Sequence, residues 1–251
     1  MNLVRKYRPG TLSDYFRQDV ITSKTVVFES EEGNMPSTVL VVGEQGNGKS
    51  TISYILAKYY LCRHKGKHFD VCNICDSCKI FNKALATGDL TDIPNFTELS
   101  PIEVNFTGVL SDVSNDLSTE TTFSDRKVYL IDDADMLNVK EQEALVTAIK
   151  GMSNNRLFIV CVNNTSNLSK DLLYTFSMAI KVDKLTEDKL FKHLAHICLE
   201  EDKNFTVDGL TLLASNSDMS VRETVNTLEL ILSTYESVTT EVVKEVLAKK
   251  E

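Results

Sequence analysis

Residues 39–51 read VLVVGEQGNGKST: an apolar run, a glycine-spaced loop and the opening of a helical pattern. The loop follows the spacing G-x-x-x-x-G-K-[ST], with Gly43, Gly46, Asn47, Gly48, Lys49, Ser50 and Thr51 in it. The run TVLVVG (38–43) precedes it and ISYILAKYYL (52–61) follows. This is the strand–loop–helix setting that a phosphate-binding loop requires. Its glycines allow backbone N–H groups to turn inward around phosphates, and the helix N-terminus adds the positive end of its dipole. Lys49 is expected to reach the β- and γ-phosphates of ATP, and the Ser50 hydroxyl to ligate Mg2+.

Such a loop works beside a second strand that carries carboxylates. RKVYLIDDADML (126–137) supplies one. Val128–Ile131 is a fully apolar run of the kind buried in a parallel sheet. Asp132 and Asp133 leave its end, where ligands bind in open α/β sheets. Asp132 is expected to face Mg2+, and Asp133 the attacking water. Further strands are read at 96–100 (FTELS), 157–162 (LFIVCV) and 178–182 (MAIKV), separated by helical or polar stretches such as KEQEALVTAIKGM. The class is α/β, with a mostly parallel sheet and helices on both faces. After Asp183 the pattern turns helical, in TEDKLFKHLAHICLEED, TVDGLTLLASNS, SVRETVNTLELILSTYES and TTEVVKEVLAKK. Ser220 and Glu223 form a capping-box pair. The expected division is therefore 1–183 for the α/β domain and 184–251 for a small all-helical domain, with Met219, Leu228 and Leu232 in the latter's core. Cys161 and Cys198 are read as packed thiols.

Four of the six cysteines fall at 62, 72, 75 and 78, inserted directly after the first helix. Two x2 turns present thiolates at close range, and four soft ligands complete a closed tetrahedral zinc site. Cys62, Cys72, Cys75 and Cys78 are thus the expected Zn2+ ligands of a structural module spanning 62–78. His64 and His68 are read as surface residues. The N-terminal stretch MNLVRKYRPG has no apolar core, and no apolar run is long enough to span a bilayer, so a cytoplasmic protein with reduced thiols is expected and no membrane association.

These residues together resemble the AAA+ clamp-loader ATPases, and among them the bacterial DNA polymerase III gamma/tau type. RKYRPGTLSDYFRQ (5–18) resembles the family's N-terminal signature, the P-loop follows, CNICDSCKI (72–80) matches its zinc insertion, and KVYLIDDADML resembles its Walker B segment. The resemblance covers two of the family's three domains and implies an AAA+ P-loop ATPase domain with a zinc-finger insertion, then a helical lid, with the collar domain absent. It implies ATP and Mg2+ held between domain and lid. Arg5, Tyr7, Arg8 and Pro9 would lie near the adenine, Asn163 at the sensor-1 position and Arg222 at the sensor-2 position. The implied function is an ATP-dependent subunit that loads a sliding clamp onto primed DNA during replication. Its partners would be other clamp-loader subunits in a homo- or hetero-oligomer, the clamp, and primer–template DNA held by the assembled complex. A non-hydrolysing, stator-like subunit and an AAA+ helicase loader are the alternatives.

Three departures from the family pattern bear on activity. Thr175, in LLYTFS (172–177), stands where an arginine would reach a neighbour's site. Asp133 replaces a glutamate. The chain carries 27 basic and 36 acidic residues, net −9, and neither part is basic: 19 against 23 up to Asp183 and 8 against 13 beyond it. Slow hydrolysis by the isolated chain, stimulated by partners, is expected from the first two, and DNA contact only locally or through partners from the third. The basic cluster Lys58, Arg63, Lys65 and Lys67 is read as a solvated face.

Overall fold

The computed structural model describes residues 2–12, 14–15, 35–64, 71–102, 106–115, 126–152, 155–216 and 220–249. The readings made at Phe16–Gln18, Lys65, Lys67, His68 and Met219 lie outside them. Two compact units emerge. One comprises Pro9–Glu44 and Lys49–Val182; the other comprises Met1–Arg8, Gln45–Gly48 and Asp183–Glu251.

The first unit is built on five parallel strands, β1 (Thr38–Val42), β2 (Phe96–Leu99), β3 (Lys127–Ile131), β4 (Arg156–Val162) and β5 (Met178–Lys181), in the spatial order β2-β3-β4-β1-β5. The three inner strands are buried almost end to end. That explains the long apolar runs after their first residues, because a parallel strand covered on both faces has no polar side to show. The edge strands β2 and β5 expose every second residue or nearly so. Pleating then sorts the inner residues between two cores. Val39, Val41, Val128, Leu130, Leu157, Ile159 and Cys161 join Ile52, Ile55 and Leu56 of helix Lys49–Leu61 and Phe81 of helix Asp76–Thr87. Leu40, Tyr129, Ile131, Phe158, Val160 and Val162 join Phe106 and Leu110 of helix Phe106–Asn115 and Leu145 and Ile149 of helix Val139–Lys150. Tyr129 and Phe158 are register partners on neighbouring strands, and their rings stack at 5.0 Å. A capping box starts helix Val139–Lys150: the Asn138 side chain accepts from the Glu141 N–H, and Glu141 accepts from the Asn138 N–H. The short helix Lys170–Leu173 starts on a Ser169 cap.

The second unit holds helices Glu187–Glu200, Val207–Ser215, Val221–Thr234 and Thr240–Ala248. Thr186, Thr206, Ser220 and Thr239 cap them, each side chain accepting the backbone N–H three residues on. Replacing such a cap typically costs about 1 kcal/mol, so four in one small unit fix where its helices begin. Leu190, Leu194, Ile197, Leu210, Leu213, Leu228, Ile231 and Val243 form its interior. Leu232 is only half-buried. The unit is not wholly helical as expected: Asn204–Phe205 pairs in parallel with Ser237–Val238. These two-residue strands lie immediately before helices, too short for any alternation to announce them. The N-terminal helix Leu3–Lys6 also belongs here, its Leu3 N–H donating to Glu229 Oε2 at 3.0 Å. No helix among the described residues is long and apolar enough to cross a membrane.

Candidate functional site

The loop after β1 turns back into helix Lys49–Leu61 through two left-handed glycines, Gly46 (φ 82°) and Gly48 (φ 96°). At both positions a side chain would be strained. Gly43 has no room for one either, since a Cβ there would run into the carbonyl oxygen of Val182. The loop is shared between the units, 45–48 falling with the helical unit and Lys49 onward with the sheet. Within the helical unit, a Cβ on Gly46 would strike the Ser220 hydroxyl, with Arg222 Cβ 3.7 Å away. Arg222 itself is exposed at the start of helix Val221–Thr234, and Asn47 is buried.

Strand order brings the polar residues of the sheet unit together. β3, β4 and β1 are adjacent, so the residues leaving their C-terminal ends stand side by side, where open α/β sheets bind ligands. Lys49 is only 6% exposed. Its Nζ donates to Asn163 Oδ1 at 2.9 Å and to the Glu44 carbonyl at 3.3 Å. The Ser50 hydroxyl donates to Asp132 Oδ2 at 2.6 Å, and the other carboxylate oxygen accepts the Asp133 N–H at 3.0 Å. Lys49, Ser50, Asp132 and Asn163 thus form one polar constellation, with Thr51 half-buried behind them. Ser50 and Asp132 offer two hard oxygen donors, the chemistry Mg2+ takes.

Asp133 adopts φ 51° and ψ 39°, a left-handed residue at the entry to a 3-10 turn, Ala134–Met136. Aspartate tolerates this conformation better than most side chains. That kink turns the chain so that Asp135, which sequence reasoning had not singled out, points back at β4. Its carboxylate accepts both the Asn163 backbone N–H (3.1 Å) and Nδ2–H (2.9 Å). Asp135 therefore decides which way the amide faces: Nδ2 toward itself, Oδ1 toward Lys49. The third acidic residue of DDAD was the available signal, but its direction depends on the Asp133 kink.

Of the residues expected near the adenine, Arg5 is exposed and Tyr7, Arg8 and Pro9 are half-buried. Tyr7 donates its hydroxyl to Glu201 at 2.7 Å and sets its ring edge-on to His196 at 6.1 Å. Lys6 pairs with the same carboxylate at 2.6 Å. Thr175 spends its hydroxyl on the Leu172 carbonyl at 2.6 Å, closing helix Lys170–Leu173.

A second site lies on the far end of helix Lys49–Leu61. The sulfurs of Cys62, Cys72, Cys75 and Cys78 all lie within 4.8 Å of one another, with Cys62–Cys72 at 3.5 Å and Cys72–Cys78 at 3.9 Å. None is in a disulfide. Zinc–sulfur bonds of ~2.3 Å at tetrahedral angles put sulfurs about 3.8 Å apart, so the donor set and its spacing fit that ion. The Cys75 N–H donates to Cys72 Sγ at 3.3 Å. Burial pushes the Cys62 and Cys78 thiols up. At Cys72 burial acts upward too, but the N–H groups of Cys75 and Ile74 outweigh it and hold the thiol down to about 6. His64 presents only its carbonyl to the cluster, accepting from Cys62.

The basic residue Lys58 is not on a solvated face. It is 1% exposed, and its Nζ donates to Asn73 Oδ1 at 2.7 Å and the Gly10 carbonyl at 3.1 Å. It lies in the last turn of the helix that leads into Cys62, and Asn73 belongs to the cysteine knuckle.

This fold and this loop are those of the AAA+ clamp-loader class. The RuvB Holliday junction branch migration motor of Thermotoga maritima superposes with a TM-score of 0.67 at 18% identity, over 96% of this chain and 72% of that one. A family model described as DNA polymerase III, delta subunit, matches residues 20–175, and the chain belongs to that family. The DNA polymerase III subunit gamma/tau of Mycoplasma pneumoniae is 26% identical over 94% of this chain, and the subunit gamma of Buchnera aphidicola subsp. Acyrthosiphon pisum is 27% identical over 90%. The chain spans 33% and 60% of the lengths of these two relatives.

Proposed function

We propose that the protein is an ATP-dependent clamp-loader subunit, which binds ATP with Mg2+ and uses hydrolysis to load a sliding clamp onto primed DNA. The observation that carries this is the joining of Lys49, Ser50, Asp132 and Asn163 at the ends of three adjacent strands. The clamp-loader relatives support the choice among P-loop functions. Residues 1–183 would form the ATPase domain and 184–251 its helical lid.

Gly43, Gly46, Asn47, Gly48 and Thr51 supply the backbone cradle, while Lys49 exchanges the Asn163 and Glu44 oxygens for phosphate oxygens. Ser50 and Asp132 would hold Mg2+, whose charge would offset that of the phosphates. Asn163 keeps one Nδ2–H on Asp135 and has a second to offer a terminal phosphate. Asp133 orients the attacking water. Arg222 adds positive charge from the lid, and Arg5, Tyr7, Arg8 and Pro9 flank the base. Four thiolates at 62, 72, 75 and 78 would hold one structural Zn2+ in the reducing cytoplasm. Closed on four sulfurs, that site leaves no position for substrate.

Thr175 bears no charge to lend a neighbouring copy, so the site of an isolated chain lacks a cation that such transition states ordinarily receive. Partner subunits, together with clamp and primed DNA, would supply it. The test is phosphate release by the purified chain, alone and with the replication proteins of its host, alongside clamp retention on a primed circle. Slow turnover alone, stimulation by partners and ATP-dependent clamp retention are expected. Brisk turnover without partners, or clamp retention indifferent to ATP, contradicts the proposal.

A further inference from the structure

The neighbourhood of Lys58 raises a problem of charge. The side chain is buried on the P-loop helix, whose Tyr59 and Tyr60 share an apolar cluster with Cys62, Cys75, Cys78 and Phe81. A buried ammonium is costly without an anionic neighbour. Its two hydrogen-bond acceptors, Asn73 Oδ1 and the Gly10 carbonyl, are neutral. One of them sits inside the knuckle: Asn73 follows Cys72 directly and holds a left-handed φ of 55°. Asn82 Nδ2 reaches the same oxygen at 3.4 Å.

The cysteine centre has the opposite problem. Four thiolates around one divalent ion carry a net charge of −2, and Cys62, Cys75 and Cys78 are buried. We propose that Lys58 is the internal counter-cation of the tetrathiolate centre and, through Asn73, the positioning residue that sets the knuckle against the P-loop helix. The proposal rests on the reading of the four cysteines as a zinc site. The two costs then offset each other, since each buried charge is the other's neighbour. Geometry supports the pairing twice over, from the place of Lys58 in the last turn of the helix that leads into Cys62 and from the hydrogen bond to the residue after Cys72. Burial holds the Lys58 pKa down, and Asp14 is among the acidic groups that act the other way. The Gly10 carbonyl extends the link to the N-terminal segment, so one ammonium ties that segment, helix Lys49–Leu61 and the knuckle together.

The experiment measures zinc affinity of the full chain by competition with a chromophoric chelator, and the sulfur-to-cobalt charge-transfer band after Co2+ substitution. Lys58→Gln keeps a donor and removes the charge; Lys58→Arg keeps the charge; Asn73→Ala keeps the charge and cuts the tie. Partners one shell out from a metal typically affect affinity by ~10–100-fold. Lys58→Gln should therefore bind zinc at least about tenfold more weakly and shift the cobalt band, while Lys58→Arg stays within about threefold. Asn73→Ala should weaken binding less than Lys58→Gln does. Lys58→Met replaces Lys58→Gln if the amide is not tolerated. Unchanged affinity on loss of the charge, or equal weakening in Lys58→Arg, overturns the inference. Absence of zinc from the unmodified chain would instead overturn the metal site itself.

Discussion

Asp135→Ala isolates the contact that orients Asn163. The carboxylate accepts two N–H groups from that one residue, at 3.1 and 2.9 Å, both partly buried. Hydrogen bonds to a charged group contribute roughly 1.5–3 kcal/mol each. Partial exposure places these at the lower end, for a combined loss of about 3 kcal/mol. For a chain of this size each kcal/mol moves the unfolding midpoint by roughly 2–4 °C. The variant should therefore melt roughly 6–12 °C lower. The functional consequence is separate. Without Asp135 the amide is held only by the Lys49 ammonium on Oδ1, and Nδ2 loses its fixed direction. ATP binding should weaken only a few-fold, because the loop and Lys49 remain. Turnover should fall on the order of a hundredfold if, as proposed, Asn163 stands beside the terminal phosphate and loses its orientation. Asp135→Asn, able to accept one of the two bonds, should fall between. Thermal unfolding by circular dichroism and single-turnover phosphate release read the two effects independently. A melting midpoint unchanged within 2 °C, with turnover within twofold of the parent, would refute the role assigned to Asp135.

Cys75→Ser should leave the purified protein without stoichiometric zinc by elemental analysis and should lower its melting temperature, since structural zinc contributes folding free energy directly. Thr175→Arg should raise turnover of the self-assembled chain by roughly tenfold or more if a missing cation limits it, at the cost of about 1 kcal/mol from the lost bond to the Leu172 carbonyl; unchanged steady-state phosphate release would place the limitation elsewhere. His193, buried and with the His196 charge nearby, is held down to about 4. The unfolded chain therefore takes up a proton first as pH falls. Stability should decline from pH 6.5 toward pH 4, by about 3 kcal/mol in total, and His193→Leu should flatten that slope in urea titrations.

The sequence announced the sheet because physics left its strands little choice. β1, β3 and β4 are covered on both faces, so after their first residues, Thr38, Lys127 and Arg156, they run apolar and stand out from their surroundings. The P-loop was equally legible, as its glycines are required by positive φ at 46 and 48. What sequence could not show was direction. Asp135 looked like one acidic residue among three until the left-handed Asp133 aimed it at β4. Lys58 looked like surface charge, because a lysine on a helix ordinarily is; only the fold of the knuckle, with Asn73 turned under it, puts it inside. Lys49 is buried, with Asn163 and the Glu44 carbonyl accepting from it, which its place in the loop motif did not show. The paired strands at 204–205 and 237–238 are too short to carry a pattern.

The proposed function stands on the loop of Gly43–Thr51 binding nucleotide through Lys49. Calorimetric titration of Mg–ATP into the unmodified chain and into Lys49→Ala tests it most directly. One site per chain is expected, with affinity lost or reduced on the order of a hundredfold or more in the variant, whose circular dichroism spectrum stays that of the parent. Equal affinity in the two proteins, or no binding to the unmodified chain, would contradict it.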